Sequence, residues 1–477
     1  MTKPVIAFLV AGILAATAAP ARTAEMVSAD DMAHFLAGLP VSPQSSLAPL
    51  TASASWQQYA HRFDSLFGRE DRDTLSKVRA FSEAQLTNPH DSMLYMFSGP
   101  DFLYATSFFP KASTYVLSGL EPVGNIPQLA LLKRGSIEAV ERNMEISLNS
   151  ILSFSFFITK KMKSELAAGP VYGTVPILYV FLARTGKTIH EVSLVALDEQ
   201  GNIETAGAPA AAAAPAADQT SIVGESGNRP AAHAPRNTAR GVKIVFSDDD
   251  RPNQTLYYFS TNLDDQGVKS SGLLAFCDKL GPADSLIKSA SYLMHRGGFA
   301  KVRNFLLDRS ATILQDDTGI PVAYFDARKW RLRAFGRYIG PLPMFGVPAQ
   351  PRMAQLFRNA APLDFGIGYR WHRNESNLLL AEKISPGTEP VLAGEKPVAP
   401  PSVAAAPPPA AVIPSPVARA IPAELPAILA ESPAIVGPIH HRLKVTKKKH
   451  PQTVQKHSPK KQSAQKGYYG PRGLFSF

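Results

Sequence analysis

Two stretches of this chain are too poor in large apolar side chains to fold, and they fix where compact structure must lie. Residues 206–239 run from a poly-Ala segment through Pro209, Pro215 and Pro230 among Asp, Gly, Ser and Asn. Residues 386–440 form a Pro/Ala-rich tract, and 13 of the chain's 41 prolines fall between 390 and 438. Such compositions bury too little surface to offset the entropy lost on ordering. The first reads as a disordered insert exposed to solvent. The second reads as a spacer that would reach on the order of 150 Å if extended as polyproline II at about 3.1 Å per residue. Foldable sequence is thereby confined to two consecutive halves, 54–205 and 240–385. A turn-rich segment at 25–53, expected to be flexible, precedes them, and a disordered tail at 441–477 follows the spacer.

The first residues have the order of an export signal. Lys3 gives a short basic region, Val5 to Ala19 is apolar, and small residues at Ala16-Thr17-Ala18 and Ala19-Pro20-Ala21 precede the first acid, Glu25. A signal peptidase reads that arrangement, so residues 1–24 are expected to be removed. The run is shorter than the roughly 20 residues of a spanning helix. The next most apolar stretch, Ile146 to Ile158, is shorter still and broken by Asn149 and serines. The expectation is a periplasmic or extracellular protein with no transmembrane span once the signal is cleaved. One cysteine, Cys277, excludes an internal disulfide framework, which suits a bacterial exported protein better than a cystine-stapled one. Its apolar neighbours, Leu273 to Phe276, predict a buried, inert thiol.

The net charge of +11 is unevenly spread. Ten Lys/Arg and no acids lie between His441 and Phe477; without those ten, 40 basic residues face 39 acidic ones. The globular part is close to neutral, and the basicity belongs to the tail. Lys447, Lys448, Lys449, Lys460 and Lys461 form a polycation able to bind polyanions by counterion release. Outside the cytoplasm the fitting partner is an anionic envelope polymer or lipid surface; nucleic acid is not expected.

Periodicity places helices from Ala54 (Trp56, Tyr59, Phe63, Phe67) and across Leu75, Val78 and Phe81. Short aromatic and β-branched runs at 93–97, 102–108 and 113–120 read as strands, as do 175–182 and 191–197. A helix is the readier reading of 137–166, though its Ser/Phe middle also suits a buried strand and periodicity alone does not decide. In the second half, 242–246, 255–260, 322–325, 329–335 and 365–371 read as strands, and 272–280, 284–295 and 299–307 as helices. The class is α/β, with mixed α+β also open, in two sequential halves around mixed sheets. Gly173 to Phe181 echoes Thr318 to Phe325, which a degenerate duplication or chance would explain.

Catalytic templates are absent: no G-x-S-x-G, H-E-x-x-H, Walker A or G-x-G-x-x-G opening a helix. No cofactor or metal is called for. The acidic groups 248–250, 264–265 and 316–317 stand beside turn residues, where Asp bonds nearby backbone N–H groups. In 329–333, alternation puts Lys329, Arg331 and Arg333 on one face and Trp330 and Leu332 on the other. With Asp101 and Tyr104 in the aromatic turn region, those three bases are the candidate ligand contacts.

The segments Phe97 to Tyr104, Tyr115 to Gly124, Tyr258 to Leu263 and Ile313 to Pro321 together resemble a pattern in an uncharacterised family of exported bacterial proteins. That resemblance implies an exported single-unit body and no particular activity. The expected role is an envelope-associated binding or structural protein tethered by its tail. The alternative is a secreted hydrolase lacking a recognisable motif, using Asp101, Asp316, Asp317 and His295.

Overall fold

The computed structural model describes residues 27–129, 134–154, 171–205 and 239–384. Residues 1–26, 206–238 and 385–477 lie outside the described residues, as do the expectations placed on them and the part of the expected helix 137–166 from 155 onward. Among the described residues ten strands are formed: β1 Ser92–Tyr95, β2 Thr114–Gly119, β3 Thr188–Leu197, β4 Ile203–Thr205, β5 Arg240–Ser247, β6 Gln254–Ser260, β7 Ala283–Ile287, β8 Ser310–Gln315, β9 Trp330–Gly336 and β10 Asn377–Lys383. They make one sheet in the order β4-β3-β5-β6-β2-β1-β7-β8-β10-β9. The five strands from β6 to β8 run parallel, and the strands outside them are antiparallel. The protein is mixed α/β, and both halves of the sequence enter the same sheet. Met93 of β1 pairs with Tyr115 on one side and with Asp284 on the other.

Alternate residues of the central strands feed two separate cores. Met93, Tyr95, Tyr115, Leu117, Leu286 and Leu314 pack on one face with helices Ala29–Leu36, Ala54–Glu70, Phe102–Phe108, Arg134–Phe154 and Val175–Arg184. Leu94, Val116, Ile287 and Ile313 pack on the other with helices Leu273–Lys279 and Ala300–Arg309. A largely parallel sheet covered on both faces is the expected solution for strands apolar on both sides. The connection from β1 to β2 passes over the first face. That from β7 to β8 passes over the second and moves the opposite way along the sheet. The sheet is therefore doubly wound, and its direction switches between β1 and β7.

Several local expectations are corrected. Segments 102–108 and 175–182 are helices, not strands. Every residue of Phe102–Phe108 is buried, and so is all of Val175–Ala183, so neither has the polar face that gives a helix its period. Asp101 caps the first by accepting from Tyr104 N at 3.2 Å, and Pro176 sits in the first turn of the second. Segment 284–295 is not a helix: it is β7 followed by a tight turn. β8 and β10 are strands that the residue pattern does not predict, while 322–325 and 365–371 hold only single 3-10 turns. The echo at 173–181 and 318–325 therefore spans a helix in one place and a turn in the other. Nor is 27–53 a flexible segment. Helix Ala29–Leu36 buries Met32, Phe35 and Leu36, and Trp56 Nε1 donates to Phe35 O at 3.2 Å.

Gly124 and Gly173 lie back to back, each with φ +82°. A Cβ on Gly124 would stand 1.8 Å from Tyr172 O, and one on Gly173 would stand 2.4 Å from Gly124 Cα. The contact locks the segment after β2 to the start of helix Val175–Arg184, where Thr174 N donates to Pro122 O and Val123 O at 3.0 Å. Gly124→Ala is expected to destabilise the protein by at least ~2 kcal/mol, read as a lower urea midpoint at unchanged slope.

Candidate functional site

The carboxyl ends of β1 and β7 meet at the point where the sheet changes direction, the place where doubly wound sheets open a crevice for ligands. A charged side chain comes from each of the two following turns. Asp101, after β1, and Lys288, immediately after β7, form an ion pair of 2.6 Å in which both side chains are only 2% exposed. Tyr95 Oη also donates to Asp101 Oδ2 at 2.8 Å. Lys288 Nζ sits 3.5 Å from the centroid of the Tyr104 ring, and Tyr104 Oη donates to Glu70 Oε1 at 2.6 Å. Glu70 ends helix Ala54–Glu70 where the backbone loosens into a π-turn at Asp71–Leu75, a feature that recurs at functional sites.

Electrostatics follow from this enclosure. Burial pushes the Lys288 ammonium toward its neutral form, and Asp101 opposes that push. Burial likewise raises the Glu70 carboxyl against the Tyr104 hydrogen bond, and it holds the Tyr95 phenol well above its usual range.

A second group stands beside the first, after β8. Asp317 is clasped by Arg370, Nε to Oδ1 at 2.9 Å and Nη2 to Oδ2 at 2.5 Å, and accepts from Tyr292 Oη at 2.8 Å. Burial disfavours the Arg370 charge, but the bonds to Asp317 outweigh it and keep the guanidinium protonated. Asp316 Oδ1 accepts from Thr318 N at 2.9 Å and from Thr318 Oγ1 at 2.5 Å. Its Oδ2 accepts from Ser289 N at 3.1 Å. Burial and then the charge of Asp317 push the Asp316 carboxyl up to about 6. His295 packs on the Tyr292 ring, centroids 5.0 Å apart, and burial lowers it to about 4 despite Asp317.

An excursion at 337–376 leaves β9 and returns to β10 at this same edge, and it covers the second group. Arg370 donates to Gly340 O at 2.5 Å, Leu342 N donates to Tyr292 Oη at 3.1 Å, and Phe345 packs against Tyr292 and Tyr369. Outwardly the excursion shows Met344 and Trp371, 61% and 40% exposed.

Of the expected contacts, Asp101 and Tyr104 join this cluster, but as buried members. Lys329, Arg331 and Arg333 lie at or in edge strand β9, three strands from β7, and do not approach it. There Arg331 and Arg333 share Glu382 at 3.3 Å each, and Trp330 faces the second core as expected. Lys447, Lys448, Lys449, Lys460 and Lys461 lie outside the described residues. Asp316, Asp317 and His295 are brought together. Turn chemistry accounts for Asp316, which accepts from Thr318 N, but not for Asp317, which is clasped by Arg370, and both carboxylates are buried. It also accounts for Asp264, which accepts from Gln266 N and Gly267 N. Cys277 is buried, and burial raises its thiol pKa.

Lys288, Ser289, Arg370, Glu70 and Tyr95 are members of the site that the residue pattern does not single out. The one available signal is a lysine ending the apolar run Leu286-Ile287, and reading 284–295 as a helix hides it. Among the described residues no cluster of His, Cys, Asp and Glu suits a metal ion, and no helix is long and apolar enough to cross a membrane. No protein-family model matches the chain, and no curated protein or solved structure is detectably similar to it.

Removing one partner of a buried pair strands the other charge. Lys288→Met is expected to cost about 3–5 kcal/mol, and adding Asp101→Asn to recover part of that loss. Denaturant titrations of the two single variants and the double one measure the coupling; additive losses would mean that the pair does not interact.

Proposed function

We propose that this chain is an exported hydrolase working at the carboxyl edge of its parallel strands, held near an anionic envelope surface by its basic tail. One observation carries the catalytic part. The carboxylates after β1 and β8 both act on Lys288 at the switch of sheet direction, beneath a covering excursion. Buried, mutually perturbed acids and bases at such a place are what acid–base chemistry requires. A surface contact role suits Asp101 and Tyr104 poorly, because both are enclosed and engaged. Asp316, poised near neutrality, is the group best matched to moving a proton at physiological pH.

Purified full-length protein assayed against chromogenic esters, amides and glycosides should turn over at least one class. Asp316→Asn should lower kcat/KM for it by about 10²-fold or more. An undiminished rate in that variant, or no turnover of any class by the natural protein, would sink the hydrolase reading.

The tail's ten uncompensated bases support the tether. In fractionated cells the full chain should stay with the envelope at low salt and leave it at moderate salt, while a version ending at Pro390 should be released at both. Equal release of the two forms would remove the tether and leave the catalytic reading untouched.

A further inference from the structure

The turn after β7 has a property that the buried charge network does not explain. Ser289, Ser291 and Tyr292 all have left-handed backbone, with φ of 57°, 54° and 58°. Non-glycine residues occupy that region at a cost, and a run of them after a central strand marks stored strain of the kind found at reactive sites. Ser289 is first in the run and directly follows Lys288. Although the residue is partly exposed, its hydroxyl oxygen is shielded and has no hydrogen-bond partner among the described residues. A serine hydroxyl seldom stays unpaired when water or a neighbour can reach it. Here the shield is Gly368, itself at φ +57°. The point where its Cβ would stand is 2.0 Å from Ser289 Oγ, 3.2 Å from Asp316 Oδ2 and 3.2 Å from Lys288 Cγ. Only a residue without a side chain closes over this spot, and beneath it the hydroxyl, the carboxylate and the lysine stem are neighbours.

We infer that Ser289 is the nucleophile of an acyl-transfer reaction, with Asp316 as its general base, exposed when the Gly368 turn draws back. The inference rests on the hydrolase reading and specifies its substrate class. In the first step Ser289 Oγ bonds to the carbonyl carbon of an ester or amide, and its proton passes to the Asp316 carboxylate. The bond from that carbon to the leaving oxygen or nitrogen breaks, and Asp316 returns the proton to the leaving group. Water then attacks the acyl carbon and gives a proton to Asp316, the bond from that carbon to Ser289 Oγ breaks, and Asp316 returns the proton to the serine oxygen as the acid leaves. The surroundings select a neutral acyl group over a phosphoryl group. Glu70, Asp101, Asp316 and Asp317 outnumber Lys288 and Arg370, and Asp101 and Asp317 already engage those two cations. An anionic substrate would meet surplus negative charge.

The charged and titratable groups acting with Asp316 are Asp317, Lys288, Arg370, Tyr95 and Tyr369. A base must be deprotonated to accept a proton. Rate should therefore rise with pH through an apparent value of about 6, the level to which burial and Asp317 push Asp316.

The test treats the full-length protein with a fluorophosphonate probe and locates the adduct by peptide mass spectrometry, beside ester hydrolysis by the natural protein, Ser289→Ala and Ser289→Cys. Expected are an adduct on Ser289, its loss in Ser289→Ala with a fall in kcat of at least ~10³-fold, and alkylation of residue 289 by iodoacetamide in Ser289→Cys. Thermal melts confirm that the variants fold. Full hydrolysis by Ser289→Ala, or an adduct on another residue, overturns the nucleophile and leaves the hydrolase reading standing. An adduct on Ser289 without turnover of any ester, amide or glycoside supports the nucleophile and removes the hydrolase reading. No adduct and no turnover removes both.

Discussion

The salt bridge between Asp101 and Lys288 ties together two pieces of chain that share no local relationship. One follows β1 and the other follows β7, so the bond can form only once those strands lie side by side. Both ions are out of water, where attraction is strong but desolvation is costly, and such a pair adds little to stability on balance. Its effect is on geometry. Tyr95, Tyr104 and Glu70 are oriented around it, and the Lys288 backbone delivers Ser289 into its strained turn. A sheet needing only stability would fill this position with apolar side chains.

The neighbouring Asp316–Asp317 pair shows how adjacent residues of one chemical type acquire different roles. Asp317 is clasped by a bidentate guanidinium and accepts from a phenol. Asp316 has hydroxyl and amide donors but no such cation against it, and it carries the cost of its neighbour's charge. Adjacent carboxyls thus stand in different surroundings, one bound to a cation and the other to neutral donors.

Much of this architecture is legible in residue patterns, and the gaps have a common cause. Amphipathic helices such as Ala54–Glu70 declare themselves because one face meets water. Phe102–Phe108 and Val175–Arg184 do not, since burial on every side erases the period that separates helix from strand. Strands β8 and β10 are harder to see, although apolar residues adjoin at Ile313-Leu314 and from Leu378 to Leu380, because turn and helix signals nearby dominate. At the site, Asp101, Tyr104, Asp316, Asp317 and His295 can each be singled out by type. Their assembly cannot, because it depends on β1 and β7 being neighbours. Lys288 and Ser289 are hidden together, by the helical reading of one segment.

The pairing of β1 with β7 has a consequence for how the chain matures. His90, just before β1, donates from its backbone to Asp284 of β7 across 194 positions of sequence. Until that distant strand is made, β1 presents an unpaired parallel edge, and the acid that follows it has no counter-ion. Long-range closure of this kind slows folding and prolongs the exposure of sticky edges. A truncated product stopping before β7 would therefore be no smaller version of the protein. It would be an aggregation-prone fragment, and quality control in the cell would meet it as one.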